Sequence, residues 1–481
     1  MRTEFFLLWA SAQAAVAAIR PKNFIMVIPD GMAPASQTLV RTYLSMLNGG
    51  SPEAPAINAM PIDETPLGNT RTHSSNNLIT DSAAAGTALA CGFKTNNGAL
   101  GVTPDGQALG SILEAAKQDG YLTALVVTSI INHATPAAYS SHSVSRNALP
   151  QIAEQQIGYS HPLNQSVDIL LGGGRCYFKP QSDSTSCRED DIDLFAYAKD
   201  KGYSIAQNRS SFDALSSGRS RITLPYLGLF NDNDLSYEID RQQQPQAERE
   251  PSLSEMTETA LQSLDRARQC RGRHCRNRND KGYFLMIEAS RIDHSSHAHD
   301  AAAHLHDTLE YNNVMEKLIN WIDAHPDTAM LSVADHETGG LTLPGYDPRL
   351  LQTPTHSIEY LSSQWDESDK SESYLRSDIL PAYGLSDASD AEVQAILGDF
   401  SAGLADALSE RAGISWSTGG HSGVDTTLYG YAAGRTGEQL KADMAGGFDN
   451  TEIPRYIEQA LGVNIDRVTR ELRAKGTGWI P

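Results

Sequence analysis

The sequence predicts an α/β fold: a three-layer sandwich with a large, mostly parallel central sheet and helices on both faces. Three observations carry this expectation. Short apolar, β-branched runs alternate with stretches of helical period, the order that crossover helices impose on a parallel sheet. Each run is nearly continuous in apolar residues, as a strand covered on both faces must be. No unit of about 20–50 residues repeats, which removes solenoids and propellers.

Taken in order, the first strand is Phe24–Ile28, which runs into Pro29-Asp30-Gly31. A helix over Leu109–Gln118 leads to a strand at Leu122–Val127, and further strands fall at Val167–Leu171 and Phe284–Ile287. The stretch Ala301–Ala324 reads as a long helix, with Leu305, Leu309, Met315, Leu318, Ile319 and Ile322 keeping one face. A last strand is Met330–Val333. From about Leu341 to Trp416 the chain is polar, acidic and short of strand runs. Its Ser389-Asp-Ala-Glu392 is a capping-box signature, so this stretch is expected to be a peripheral insertion with helices. The Gly172-Gly-Gly174 run lacks the Lys-Ser/Thr of a phosphate loop and reads as a turn.

Composition bounds what such a protein does. The chain has 481 residues, with 38 Lys+Arg against 59 Asp+Glu, for a net charge of −21. Neutralising a nucleic-acid backbone needs a basic face, so no nucleic-acid binding is expected. With 40% hydrophobic and 20% charged residues it is globular in composition and long enough to bury a core without staples. Length alone suggests roughly three domains, but large α/β enzymes often form one, and residues 18–481 are expected to be a single domain. Arg2, the apolar run Phe5–Ile19 and the small residues Ala15-Val16-Ala17 read as a signal peptide over residues 1–17, with a retained anchor as the alternative. That run is shorter than the roughly 20 residues of a membrane span, and no span is expected in the mature chain. Secretion, or delivery to a vacuolar lumen, fits the sequons at Asn164 and Asn208. It also fits two local cysteine pairs, Cys176 with Cys187 and Cys270 with Cys275, that could close small disulfide loops. Cys91 reads as a buried free thiol.

The chemistry sits where the strands end. Phe24–Ile28 runs into Asp30, Phe284–Ile287 into Glu288 and Asp293, and Met330–Val333 into Asp335 and His336. Ligands in open α/β sheets bind outside the carboxyl ends of strands. Asp293 and His297 lie four apart and on a helix would share one face, able to grip one cation. Asp335 and His336 are neighbours and can join one site only where the strand has ended and the backbone turns. His294 and His299 point elsewhere, and His304 and His306 read as members of a solvated helix. His421, in Thr-Gly-Gly-His-Ser-Gly, lies on a flexible loop that could return an imidazole to the sheet edge. Asp81-Ser82 precedes a small-residue helix, so Ser82 is either a nucleophile at a helix N-terminus or part of a plain N-cap. No Gly-x-Ser-x-Gly elbow and no local histidine base surround it, so a nucleophilic Ser82 needs a metal to activate it.

Together these residues resemble the alkaline phosphatase family. The resemblance is carried, in order, by Ile28-Pro-Asp-Gly-Met32, Thr80-Asp-Ser-Ala-Ala84, His133-Ala-Thr-Pro136, Glu288-Ala-Ser-Arg-Ile-Asp-His294, Ala334-Asp-His-Glu-Thr-Gly-Gly340 and Gly420-His-Ser-Gly423. The stretch Leu224-Pro-Tyr-Leu-Gly-Leu-Phe230 is most similar to the fungal members. The resemblance implies hydrolysis of small phosphate monoesters to an alcohol and inorganic phosphate through a phosphoserine on Ser82, with two Zn²⁺, one Mg²⁺ and a homodimer. It implies Asp293, His297 and His421 as ligands of one zinc, and Asp30, Asp335 and His336 as ligands of a second that also contacts Ser82. Asp30, Thr135 and Glu288 would hold the magnesium. Arg146 would grip two phosphate oxygens, a task suited to a planar fork. Asp81 would support Arg146 or simply cap the helix. His133 and His294 stand at positions that vary within the family, beside the implied magnesium and phosphate sites. A related phosphodiesterase or sulfatase-like hydrolase, and a non-enzymatic metal buffer, are the competing readings; Arg146 with an unmodified Ser82 favours monoesters.

Overall fold

The computed structural model describes residues 20–220, 223–269 and 281–481. Residues 1–17, expected to be a signal peptide, and the Cys270–Cys275 pair, expected to form a disulfide, lie outside those residues. The strands are β1 (Asn23–Ile28), β2 (Pro66–Arg71), β3 (Leu122–Ile130), β4 (Ile169–Gly173), β5 (Ser204–Ala206), β6 (Tyr226–Leu229), β7 (Tyr283–Glu288), β8 (Thr328–Ser332), β9 (Glu337–Thr338), β10 (His421–Ser422), β11 (Thr426–Ala432) and β12 (Gly446–Asp449). Ten of them form one sheet in the order β12-β2-β11-β8-β1-β7-β3-β4-β6-β5. All neighbouring pairs are parallel except those of β11, which runs against β2 and β8. A separate antiparallel ribbon pairs β9 with β10, His421 opposite Thr338.

The sheet is covered on both faces, as its continuous apolar strands require. In β1, Ile25 and Val27 enter one core while Phe24, Met26 and Ile28 enter the other, and all five are fully buried. Helices Pro34–Leu47, Leu253–Gln269 and Ala301–Ala324 supply the first core through Leu39, Met256, Leu264, Leu305 and Leu318. Helices Ser82–Cys91, Ile112–Gln118, Ala134–Ser140, Glu452–Leu461 and Ile465–Arg473 supply the second. The three-layer α/β architecture predicted from the sequence is the observed one. Between Leu341 and Trp416 the longer helices are Ile358–Glu367, Asp390–Gly398 and Phe400–Ala412. Ser389 and Glu392 form the expected capping box, and Ile358, Leu361, Ile396 and Leu408 extend the first core.

Some boundaries differ from expectation for identifiable reasons. The helix expected from Leu109 begins at Ile112, because the Ser111 hydroxyl accepts the Glu114 N–H and the Glu114 carboxylate accepts the Ser111 N–H. Gly172 and Gly173 belong to β4 rather than to a turn. A Cβ on Gly173 would lie 2.1 Å from the Asn233 carbonyl oxygen, so glycine there permits close backbone approach. Only Gly174 turns. The helix Ser82–Cys91 is buried all round, which its small-residue composition allows. Cys176 and Cys187 form the expected disulfide, and Cys91 is a buried free thiol. Among the described residues no helix is long and apolar enough to cross a membrane.

Candidate active site

Strands β8, β1 and β7 are adjacent and parallel near the middle of the sheet, so their carboxyl ends open at one edge. That edge gathers Asp30 just past β1, Glu288 at the end of β7 with Asp293 on the helix Arg291–His297, and Asp335 and His336 just past β8. The backbone does turn after β8, and the His336 Nε2 lies 3.0 Å from Asp335 Oδ2 and 3.6 Å from Asp30 Oδ1. Gly31 makes the approach possible. Its φ is +70°, and a Cβ there would lie 2.7 Å from Thr338 Oγ1 and 2.8 Å from Asp293 Oδ1.

The histidines are held as metal ligands are held. His421 is not on a free loop: the β9–β10 ribbon fixes it. Its Nδ1 lies 2.8 Å from the Thr80 carbonyl, and the His297 Nδ1 lies 2.8 Å from the Gly419 carbonyl. A carbonyl only accepts, so in each ring Nδ1 carries the proton and Nε2 offers a lone pair. Those two Nε2 atoms lie 3.2 Å apart, with Asp293 Oδ2 3.4 Å from His297 Nε2 and Asp293 Oδ1 3.6 Å from His421 Nε2. Burial holds the His421 imidazole at about 4, so it is neutral. Two lone pairs and a carboxylate meeting this closely fit a cation between them, and donation of the second ring N–H to a carbonyl is the usual support of a metal-bound histidine. Thr338 acts similarly. Its hydroxyl donates to Asp293 Oδ1 at 2.5 Å and lies 3.2 Å from His336 Nδ1.

A second fit test comes from oxygens that lack a donor. Both carboxylate oxygens of Asp30, Asp335 Oδ2, Glu288 Oε1 and Thr135 Oγ1 are buried without a hydrogen bond. Such groups are costly unless something positive reaches them. Burial, reinforced by Asp335, Asp293 and Glu288, pushes the Asp30 carboxyl well above the usual range. Burial pushes Glu288 up to about 7. Asp30, Asp335 and His336 bring one ligand atom each within 4.8 Å of one another, as do Asp293, His336 and His421. The residue types and their deficits fit two or more divalent ions.

Ser82 is the first residue of its helix, where unpaired N–H groups favour an anion. Its hydroxyl lies 3.0 Å from His336 Nε2. Asp81 is both a cap and a partner of Arg146. Its Oδ1 accepts the Ala84 N–H at 3.0 Å, while Oδ2 accepts from Gly98 N at 2.9 Å and from an Arg146 terminal nitrogen at 3.1 Å. The other terminal nitrogen of Arg146 lies 3.2 Å from His133 Nε2. His133, which burial and then Arg146 hold at about 3, is a neutral acceptor there. His133 and His294 meet edge to face at 5.5 Å.

Sequence reasoning missed several supports of this site. Arg291 is buried on the Tyr237 ring and links His294 Nδ1 at 2.8 Å to Glu359 at 2.6 Å, and Asp234 lies beside both. Arg291 and Thr338 were within recognised motifs, but only tertiary contacts give them a role. His304 is not solvated. It is buried between Ser36 at 2.8 Å and Ser296 at 2.9 Å, and burial holds it at about 4, because its helix packs under Arg291–His297. His306 is half-buried and held at about 4 for the same reason. His299 stacks on Trp416 at 5.3 Å, with its Nε2 2.9 Å from the Thr418 carbonyl.

Comparison with known proteins is consistent over nearly the whole chain. A family model described as alkaline phosphatase matches residues 21–463. An alkaline phosphatase of Schizosaccharomyces pombe is 40% identical over 473 residues, covering 94% of this chain and 84% of that protein. The repressible alkaline phosphatase of Saccharomyces cerevisiae is 36% identical with the same coverages, 94% and 84%. Among solved structures, Thermus thermophilus alkaline phosphatase superposes with a TM-score of 0.78 at 28% identity, covering 98% of this chain and all of that one.

Proposed function

The chain belongs to the alkaline phosphatase family and hydrolyses phosphate monoesters, and from that premise we propose a metal-dependent, two-step displacement through a phosphoseryl intermediate on Ser82. The observation that carries the proposal is the position of the Ser82 hydroxyl. It stands at a helix N-terminus, 3.0 Å from His336 Nε2, among buried oxygens that lack donors. Asp30, Asp335 and His336 would hold one zinc beside Ser82, Asp293, His297 and His421 the other, and Asp30, Thr135 and Glu288 a magnesium. When bound, these ions would neutralise charge on the entering and leaving oxygens.

The chain's own groups do the rest. Asp81 and His133 each occupy one N–H on a different terminal nitrogen of Arg146. One N–H on each nitrogen is then left for two phosphate oxygens, a bidentate grip. The helix N-terminus at Ser82 faces the same dianion. The Ser82 hydroxyl gives its proton to solvent, Oγ forms a P–O bond as the ester P–O bond breaks, and the electron pair leaves with the alcohol oxygen, which takes up a proton from solvent. Water then attacks phosphorus opposite Ser82 and gives up a proton to solvent, the bond between Ser82 Oγ and phosphorus breaks, Oγ takes up a proton again, and inorganic phosphate is released. One difficult displacement becomes two easier ones.

Ser82→Ala tests this. Phosphate release from an aryl phosphate should fall by orders of magnitude while zinc content stays constant; unchanged turnover would refute the phosphoseryl route. The same assay against an aryl diester and an aryl sulfate separates monoesterase from the sulfatase-like alternative, and Arg146 with an unmodified serine favours monoesters. We also read residues 18–481 as one catalytic domain delivered to an oxidising compartment, secreted or vacuolar. The Cys176–Cys187 disulfide and the exposed sequon residues Asn164 and Asn208 support that reading. A mobility shift on deglycosylation checks it. A two-fold dimer is supported by exposed apolar residues beside the site, Leu78, Ile79 and Val424, and sedimentation would show a monomer if it is wrong.

A further inference from the structure

Outside the active site, three ionisable side chains meet in full burial: Glu114, His142 and His161. Each offers a ligand atom, and the three atoms lie within 4.8 Å of one another. The proton positions argue against a further metal. The His161 Nδ1 accepts the Leu163 N–H at 3.1 Å, so its proton sits on Nε2, which lies 3.0 Å from Glu114 Oε1. A ligand nitrogen needs a lone pair there, as in His297 and His421. His142 lies between the Gly101 carbonyl, 2.8 Å from Nδ1, and the same Glu114 oxygen, 3.0 Å from Nε2. The cluster is therefore a polar platform: one carboxylate oxygen hydrogen-bonded to the His142 ring and lying 3.0 Å from the His161 Nε2.

Two features connect this platform to the active site. His142 opens the short loop that carries Arg146. The Gln155 side-chain amide brackets the His142 backbone, accepting its N–H at 2.7 Å and donating to its carbonyl at 3.0 Å. At the far end, the Arg146 N–H donates to the Gly98 carbonyl at 2.7 Å, while Gly98 N–H donates to Asp81. The middle of the loop is held by the segment 479–481. Val144 N–H donates to the Pro481 backbone oxygen at 2.9 Å, and the Ser143 hydroxyl lies between that oxygen at 3.0 Å and the Ser145 carbonyl at 2.7 Å. Val144's own side chain is 56% exposed and cannot anchor the loop by burial. Trp479 in turn seats on the platform, edge to face with His142 at 5.3 Å and with His161 at 5.7 Å, its indole N–H donating to Gly476 O at 2.8 Å.

We propose that the segment 479–481 is a brace that fixes the Arg146 loop, with Trp479 as a positioning residue seated on the Glu114–His142–His161 platform. It rests on the reading of Arg146 as the phosphate-holding group. Trp479 touches neither the nucleophile nor the metal ligands, so its effect must pass through the loop. A loop free to shift would misplace the two guanidinium N–H groups, and small misplacements cost affinity steeply.

The experiment is a double-mutant cycle on the full-length metal-loaded enzyme, using Trp479→Ala, Trp479→Phe and Arg146→Ala, with inorganic phosphate as competitive inhibitor and an aryl phosphate as substrate. Trp479→Ala should raise KM and the phosphate inhibition constant about tenfold with metal content unchanged, and Trp479→Phe, which keeps an edge-to-face ring, should restore most of it. In the Arg146→Ala background the Trp479→Ala change should add nothing. Equal losses in both backgrounds, or a loss explained by lower metal content, would overturn the brace while leaving the role of Arg146 intact. An Arg146→Ala enzyme that inhibits normally with phosphate would overturn the reading of Arg146 and the brace with it.

Discussion

At the scale of single residues, the site also depends on groups placed behind the candidate ligands. Thr338 is the clearest. Its hydroxyl donates to the carboxylate oxygen of Asp293 that also faces His421, so it fixes how Asp293 is presented. Thr338→Val keeps the shape and removes the donor. Zinc affinity should then fall about 10- to 100-fold, the usual cost of losing such a support, measured by competition with a chromogenic chelator. Unchanged affinity would mean that the cation, not Thr338, orients Asp293. The pairing of Asp293 with His297 was legible in the sequence, because a spacing of four on a helix decides it alone. Thr338's role was not, since it depends on the β9–β10 ladder placing residues 338 and 421 opposite each other across 83 positions of chain. His304 shows the converse failure. Its helical period looked solvated, yet the helix lies under the site and its imidazole satisfies two buried serines.

At the scale of elements, the strands that sequence reading found, β1, β3, β4, β7 and β8, are buried along nearly their whole length and carry apolar runs, whereas β6, Tyr-Leu-Gly-Leu, is as deeply buried but too short to show as a run. The strands it passed over carry a weaker signal. β2 is Pro-Leu-Gly-Asn-Thr-Arg and mostly open to solvent, and β12 is Gly-Gly-Phe-Asp at the sheet edge. Their identity comes from neighbours, not from their own composition. The disulfide element illustrates how a loop is fixed without a strand. Cys176 and Cys187 close a loop of separation 11, next to Arg188, whose fully buried guanidinium binds Glu154 and Asp190 at 2.7 Å each and the Pro150 carbonyl at 3.1 Å. Cys187→Ser should lower unfolding free energy by about 2–4 kcal/mol, read from urea midpoints, because the unfolded chain regains the loop's freedom. Since the loop packs on the helix Leu149–Gln156 and not on the carboxylate cluster, kcat per bound zinc should stay unchanged.

At the scale of the whole molecule, the net charge of −21 and the active site pull in different directions. A surface this acidic repels a phosphate dianion, yet three divalent ions would add about +6 at one sheet edge and reverse the local sign. The same edge holds Asp30, Glu288, Asp293 and Asp335, all buried, and Asp30 feels the other three. Folding therefore assembles a cluster of carboxylates that is costly until protons or bound cations neutralise it, and on the metal-dependent reading proposed above metal binding should be linked to stability as well as to rate. Exhaustive chelation should abolish phosphate release and lower Tm by several degrees, with zinc and magnesium together restoring both. The variants sort the cause. Ser82→Ala removes no charge, so its Tm should drop on chelation as far as the parent's does. Asp30→Asn removes the carboxylate that faces the other three, so the chelated variant should melt closer to its own metal-loaded form than the parent does. If Asp30→Asn loses as much Tm on chelation as the parent, the stability linkage does not come from carboxylate repulsion at this edge.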